Sequence, residues 1–457
     1  MRRWVLIGAS LAAACAVAGC RSREERTESA GERQAPAAEG PSVIVVIVDT
    51  LRADRLGCYG YSRATSPWLD AIAAESIVFE NAYSQAPNTP PSIASILTSL
   101  YPHDHHFTGK GDRLSERALT VAESFGAAGY RTGAFVDAGF MTRQFGLDQG
   151  FEVYEDEGGG FEKILPIAAR WVREASERPF FLLLLTYDVH TPYEQTPEPY
   201  RSRFVDPSYA GTFESKDLEK IRTRAIDHRL TPEETRHFSD LYDGGIAHAD
   251  ALLGSFLADL RKDGLLDRTV LAMTSDHGEE FMEHGSILHE KLYRTVTHVP
   301  LLVRLPLAKH RGSRIKEVVE TIDIVPTLLA AAGIPRHAGM QGRDLLTLVR
   351  GEPFPHPRAL GQLPWNQDLT GYYAGKLHMI ADARTGAVEL FDVVADPLEQ
   401  NDVAASGAGI IATMKSDLAA RLGEAASRAY IARSSANVVD GLDPKTEESL
   451  RALGYTD

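Results

Sequence analysis

Three nearly continuous apolar runs constrain this chain more than any other feature: Ser42 to Val48, Phe180 to Thr186 and Thr269 to Thr274. Runs of that length and β-branched or leucine-rich content read as strands covered on both faces, as in a parallel sheet between two helical layers. Each run stops abruptly at polar residues. The first ends at Asp49, the second at Tyr187-Asp188-Val189-His190-Thr191-Pro192, and the third at Ser275-Asp276-His277-Gly278. Helical patterns lie between them: Pro67 to Ser76 behind a Ser66 cap, Glu116 to Ala128 stopped by Gly129, and Pro232 to Lys262 stopped by Gly264. The alternation predicts an α/β sandwich with a mostly parallel sheet. Ligands of such sheets bind beyond the carboxyl ends of the strands, so a polar site is expected at that edge.

A further candidate for that edge is Thr89, in Ala86-Pro87-Asn88-Thr89-Pro90-Pro91-Ser92, ahead of Ile93, Ile96, Leu97 and Leu100 at helical spacing. The residues alone leave two readings open: a threonine cap with prolines in the first turn, or a hydroxyl held where free N–H groups and a positive dipole end favour an anion. Asp276-His277-Gly278 is equally open, as a surface turn or as a ligand pair. Together, a strand-end carboxylate, a hydroxyl at a helix start and an Asp-His pair form an O/N ligand set able to hold a divalent metal and activate the hydroxyl.

The N-terminus speaks to compartment. Arg2 and Arg3 precede an apolar run from Trp4 to Val17 that is too short to span a bilayer stably, which reads as a signal peptide over residues 1–19. The run ends in Val17-Ala18-Gly19-Cys20, which resembles the bacterial lipobox, and Cys20 is the expected acylation site. An ordinary secretory signal with a chance cysteine is the alternative. Residues 20–41 are rich in Arg, Glu, Ala, Gly and Pro without apolar periodicity, the composition of a tether. The expected location is the cell envelope, lipid-anchored and exported, facing the periplasm or on the outer membrane. With Cys15 and Cys20 removed or acylated, Cys58 has no disulfide partner. A formal net charge of −15 argues against a nucleic-acid ligand, because backbone phosphates would be repelled.

Ordered motifs extend the reading. Asp49-Thr50-Leu51-Arg52-Ala53-Asp54-Arg55-Leu56-Gly57-Cys58-Tyr59-Gly60 resembles the opening motif of bacterial sulfatases. Tyr187 to Tyr193, Ser275 to Gly278, Thr321 to Pro335 and Glu389 to Asn401 follow that family in the same order. The resemblance, which runs from Pro41 through nearly all the rest of the chain, implies an alkaline-phosphatase-like α/β fold. That fold has a mostly parallel central sheet flanked by helices over residues 42–350 and a smaller C-terminal α+β subdomain over 351–457. It implies Asp49, Asp276, His277 and Thr89 as metal ligands, Thr89 also as nucleophile, and His190 and His289 on the ester oxygens or leaving group. Asp137 is a possible substrate contact. A divalent ion is implied, and zinc or manganese suits a histidine-containing site better than calcium.

Departures from the family pattern narrow the chemistry. Where sulfatases mature a cysteine or serine within Cys/Ser-x-Pro-Ser-Arg, this chain has Thr89-Pro90-Pro91-Ser92-Ile93, and Val136-Asp137-Ala138 stands where a sulfate-binding lysine is expected. The remaining set is similar to the metal site of bacterial phosphoethanolamine transferases and resembles threonine-nucleophile phosphodiesterases. The expected activity is therefore metal-dependent hydrolysis of sulfuric or phosphoric esters, phosphate favoured, on a sulfated or phosphorylated small molecule, glycan or lipid. A phosphoryl transferase acting on an envelope glycan or lipid, and an inactive glycan-binding protein, are the alternatives. The His103-Asp104-His105-His106 cluster is read as a surface loop rather than a second metal site.

Overall fold

The computed structural model describes residues 40–109, 111–174, 178–212, 214–216, 218–354, 357–363, 369–427, 439, 441–453 and 455. The signal-peptide and tether readings, Cys20 included, lie outside these residues.

The three apolar runs are strands with the expected limits: β1 Ser42–Val48, β5 Phe180–Thr186 and β6 Thr269–Thr274. They are neighbours, with β1 in the middle and parallel to both partners. Around them a nine-stranded sheet adds β2 Ile77–Tyr83, β3 Arg131–Val136, β4 Val153–Glu155, β7 His298–Val299, β8 Leu301–Arg304 and β9 Arg314–Glu320. Its order is β9-β2-β8-β6-β1-β5-β3-β4, and β7 also pairs with β2. The antiparallel pairs in this sheet are those made by β7 and β8. Side-chain alternation along β1 supplies both cores. Val43, Val45 and Ile47 pack into the layer that holds Ile93, Ile96 and Leu97, while Ile44, Val46 and Val48 face Leu253, Phe256 and Leu257. Burial on both faces is why these runs read as unbroken apolar segments.

Helix α1, Pro67–Ala74, starts where expected, but Ser66 does not cap it. Its free amides at Trp68 and Leu69 donate instead to Asp250, at 3.0 and 2.8 Å, from the long helix α5, Pro232–Lys262. Helix α2 is Thr89–Thr98. The helix expected from Glu116 begins later, as α3, Val121–Ala127, because Thr120 and Glu123 form a reciprocal capping box. A Gly160–Glu174 helix, α4, covers the same face as α5, and α6, Ile324–Ala331, lies with α2 on the other.

A separate antiparallel sheet follows, with β10 Arg358–Leu363, β11 Leu369–Ala374, β12 Leu377–Asp382 and β13 Val388–Asp392 in simple meander order. Helix α7, Ala408–Ser427, packs Met414 and Leu418 against it. Helix α8, Pro444–Ala452, is capped by Asp443, which accepts from the Lys445 and Thr446 amides. Among the described residues no helix is long and apolar enough to cross a membrane.

The His103–His106 segment is not the surface loop expected. Pro102–His105 is a short helix in which Asp104 and His105 are buried. His105 Nε2 meets Ser95 Oγ at 3.1 Å, and Asp104 accepts from Gln341 at 2.6 Å, so these side chains fix packing. Among the described residues they belong to no cluster able to hold a metal.

Candidate active site

The parallel register brings the polar strand ends together. Val48 lies opposite Thr186 and Ile47 opposite Thr274, so Asp49, Tyr187 and Ser275 emerge side by side. Beyond Asp49 the chain turns through Thr50 at φ 58°, a left-handed conformation that a β-branched residue rarely adopts. Surrounding contacts hold the turn: the Leu51 amide donates to Ser275 Oγ at 2.9 Å, and Tyr242 hydroxyl donates to the Thr50 carbonyl at 2.7 Å. Arg52, fully buried, is matched by Asp54 and Glu283 at 2.7 and 2.6 Å. The turn after β6 is equally crowded. A Cβ at Gly278 would lie 2.3 Å from the Thr295 carbonyl oxygen, which is why this position takes glycine.

Asp49, Asp276 and His277 are completely buried, and their ligand atoms all lie within 4.8 Å of one another. Asp276 Oδ1 accepts the amides of His277 and Thr50 at 2.9 and 3.3 Å. Asp49 Oδ2 accepts from Thr89 Oγ1 at 3.0 Å. The remaining oxygens, Asp49 Oδ1 and Asp276 Oδ2, have no hydrogen-bond partner among the described residues. Two buried carboxylates side by side with orphaned oxygens are costly unless a proton or a cation sits between them. Burial, and then the charge of Asp276, hold the Asp49 carboxyl well above its ordinary range. His277 donates from Nδ1 to the Gly278 carbonyl at 3.0 Å, which leaves the Nε2 lone pair facing Asp276 and Thr89 at 3.4 Å each. The donor set therefore fits a divalent metal with mixed O/N ligands.

Thr89 opens α2 and is fully buried. Pro90 and Pro91 follow it and carry no N–H, so the amide donors expected at this helix end are largely absent. The helix contributes its dipole there, and donation to an anion falls to side chains.

The structure brings His190 and His289 together over Thr89. His190 Nδ1 meets the Thr191 carbonyl at 2.5 Å, an acceptor only, so this nitrogen carries the proton. His289 Nδ1 lies 3.2 Å from Glu279 Oε1, and Tyr193 hydroxyl donates to the other Glu279 oxygen at 3.0 Å. Burial is the first cause of shift at all three titratable groups. It pulls His190 down to about 4, helped by His289, and pushes Glu279 up to about 7. His289 falls well below its ordinary value, with the nearby His277 adding to the effect. The Nε2 atoms of both histidines converge on a residue that sequence reasoning missed: Tyr455 hydroxyl lies 3.3 Å from His190, 3.2 Å from His289 and 3.4 Å from Thr89 Oγ1. Glu279 was also missed, although it directly follows Asp276-His277-Gly278.

Asp137 lines a cleft of about 530 Å³ next to His190, but its oxygens are already occupied. Oδ1 accepts from the Gly159 and Gly160 amides at 2.8 and 3.0 Å, and Oδ2 from the Tyr187 amide at 2.7 Å. It anchors the cleft wall. Cys58 is free and only partly buried.

A buried Asp, Asp, His and Thr cluster at the carboxyl edge of a mostly parallel sheet, with two histidines over it, is a candidate hydrolase site. The chain belongs to the sulfatase family, whose model matches residues 41–334. It is 27% identical to Arylsulfatase K of Homo sapiens over 88% of this chain and 84% of the relative, and 24% identical to an arylsulfatase of Clostridium perfringens over 79% and 89%. Among solved structures, one bound to its substrate D-glucosamine-2-N,6-O-disulfate has a TM-score of 0.71 at 19% identity, covering 86% of this chain and 98% of that one. Phosphonate monoester hydrolase of Agrobacterium radiobacter has a TM-score of 0.70 at 18% identity, covering 88% and 100%. These likenesses bear out the fold class. The protein is an ester hydrolase, in a family that is generally metal-dependent.

Proposed function

We propose that the protein hydrolyses phosphoric esters in preference to sulfuric ones, with Thr89 as nucleophile. The observation that carries this is the placement of Thr89 Oγ1, buried and 3.0 Å from Asp49 Oδ2, at the position where the family's formylglycine precursor is expected. Asp49, Asp276, His277 and Thr89 are the residues that would hold a divalent metal, zinc or manganese by donor type. Bound there, the ion would supply charge stabilisation and acidify the coordinated hydroxyl.

The chain's own residues do the rest. Thr89 Oγ1 attacks the central atom, and its proton has Asp49 Oδ2 as the acceptor already in place. The bond to the ester's alcohol oxygen breaks, and the alcohol leaves with a proton from water. His289 and His190 face the transferred group. His190, neutral near pH 7 with its proton fixed on Nδ1, presents Nε2 as the base for the water that clears the Thr89 adduct. Threonine has a single hydroxyl, whereas a hydrated formylglycine has two on one carbon and can expel sulfate by elimination. The Thr89 adduct must be cleared by attack on the central atom, a route suited to a phosphoryl group; a sulfated threonine would persist.

Matched aryl phosphate and aryl sulfate substrates test this, with Thr89→Ala as the blank. Phosphate turnover that exceeds sulfate turnover and vanishes in the blank is expected; faster sulfate turnover that depends on Thr89 refutes the reading. For location, we propose a lipoprotein acylated at Cys20 and exported to the envelope. Cys20→Ser is expected to move the protein to soluble fractions, and its persistence on membranes would contradict the anchor.

A further inference from the structure

The site is sealed. Thr89, Asp49, Asp276 and His277 have no exposed surface, and His190 and His289 are 4% and 6% exposed. Something must withdraw before an ester can reach Thr89, and one side chain stands in its way. Tyr455 hydroxyl sits within 3.4 Å of Thr89 Oγ1 and at hydrogen-bond distance from both histidine Nε2 atoms.

His190 Nε2 carries no proton when neutral, so it accepts from Tyr455 hydroxyl at 3.3 Å, and His289 Nε2 meets the same oxygen at 3.2 Å. An oxygen of the transferred group lying over Thr89 between the two histidines would need a position about 3 Å from each Nε2. Tyr455 hydroxyl is at that position, and two oxygens cannot share it.

Tyr455 is tied to the core by packing and to α8 by its backbone. Leu450 is buried and Tyr455 packs edge-on against Phe140 with ring centroids 4.8 Å apart. The Tyr455 amide donates to the Leu450 carbonyl at 2.9 Å, so the residue moves with α8. Among the described residues, α8 is joined to the large domain by Thr446 Oγ1 to Thr142 Oγ1 at 3.2 Å and by an exposed Lys445–Glu157 pair at 2.7 Å, of a kind that contributes little. Lys445, Glu448, Ser449, Ala452 and Leu453 form one wall of the cleft that reaches His190. The adjoining void gives α8 room for a local opening.

We propose that Tyr455 is an autoinhibitory plug: its hydroxyl holds the place of an oxygen of the transferred group, and α8 with Tyr455 withdraws for the ester to bind. The proposal rests on the reading that His190 and His289 face the transferred group. It makes apparent affinity the intrinsic affinity reduced by the fraction of open molecules, so removing the plug raises affinity without adding a contact.

The test uses the full chain loaded with zinc and inorganic phosphate as the probe, followed by calorimetry. Tyr455→Ala is expected to bind phosphate about tenfold more tightly than the unsubstituted protein, and Tyr455→Phe, which keeps the ring on Phe140, by a smaller factor in the same direction. Amide exchange across residues 444–453 is expected to quicken when phosphate saturates the unsubstituted protein. Equal or weaker phosphate binding in Tyr455→Phe overturns the proposal, weaker binding marking the hydroxyl as a donor to the bound group. Unchanged exchange in 444–453 overturns it too. Should Tyr455→Ala lose its fold, Tyr455→Phe and the exchange measurement decide. The same titrations in Thr89→Ala separate the two readings, since phosphate binding there does not need a nucleophile: if tighter binding persists while Thr89 proves dispensable for turnover, the nucleophile assignment fails and the plug stands.

Discussion

Two buried acidic clusters show opposite solutions to one problem. Beside the C-terminal sheet, Glu320 and Asp323 are both buried, and the chain neutralises them itself. Arg343 lies 3.3 Å from Asp323 and 3.7 Å from Glu320, Arg421 pairs with Glu320, and Tyr101 hydroxyl donates to Glu320 at 2.9 Å. At the carboxyl edge of the large sheet, Asp49 and Asp276 are no less buried, yet among the described residues no lysine or arginine pairs with either. Each keeps one oxygen without a hydrogen-bond partner among those residues. The first cluster is complete as a structure. The second needs a proton or a cation between its carboxylates, and that difference separates a packing device from a candidate binding site.

The largest effect that would break this comparison is at the second cluster. Asp276→Ala and His277→Ala are each expected to abolish bound metal and lower turnover roughly a thousandfold or more, since several kcal/mol of charge stabilisation goes with the ion. The fold is expected to survive, because β6 is untouched. Full metal content by elemental analysis in both variants would sink the assignment. At the first cluster the signs reverse. Arg343→Met strands buried carboxylates and is expected to cost about 3–5 kcal/mol of stability in denaturant unfolding, with metal content unchanged. A neutral result there would mean that Arg421 alone suffices.

A smaller effect sharpens the roles of the two histidines. His190→Ala is expected to lower turnover about a hundredfold or more while metal stays bound, the range for loss of one general base. Glu279→Gln keeps a hydrogen-bonding side chain beside His289 Nδ1 and removes the group that burial lifts to about 7, so the pH profile of turnover is expected to change in shape near neutrality more than in height. An unaltered profile would assign Glu279 to packing.

Much of this was legible in the sequence. The limits of β1, β5 and β6 could be read because each run is apolar on both faces and ends where polar residues begin. Asp49, Asp276 and His277 could be placed because parallel register carries strand ends to a common edge. The misreadings share a cause. Helix α3 was begun at Glu116, although Thr120-Val121-Ala122-Glu123 holds a capping box, because its apolar pattern runs on upstream. Ser66 stands where a cap belongs, but Asp250, which does the capping, lies 182 positions from Trp68. Tyr455 is 366 positions from Thr89, and no local pattern marks an exposed-looking tail residue as one that enters the site. Contacts at that separation are set by tertiary packing, which periodicity does not encode.

The smallest predicted effect turns on two histidines with and without a counter-charge. Burial pulls His105 down to about 3, with the charge of His106 adding to the effect. Its Nδ1 accepts the Phe107 amide at 3.1 Å, so a proton there would also break that bond. The folded state resists protonation while the unfolded chain takes a proton below about 6.5, so stability from His105 is present above that pH and is lost as pH falls towards 3. At His284 burial acts the same way, but the hydrogen bond and charge of Glu280 outweigh it and the imidazole is raised. Its contribution is fully present below the unfolded value and is lost as pH rises through the folded one. Between pH 7 and pH 5, His105→Gln is therefore expected to flatten the fall in stability by about 2 kcal/mol, read as the difference between the two proteins in urea midpoints converted with a common slope. His284→Gln is expected to steepen the fall over the same range. If His105→Gln leaves the acid slope unchanged, that imidazole is protonated in the fold, and the cluster expected to be a loop would have to find a buried anion to hold it.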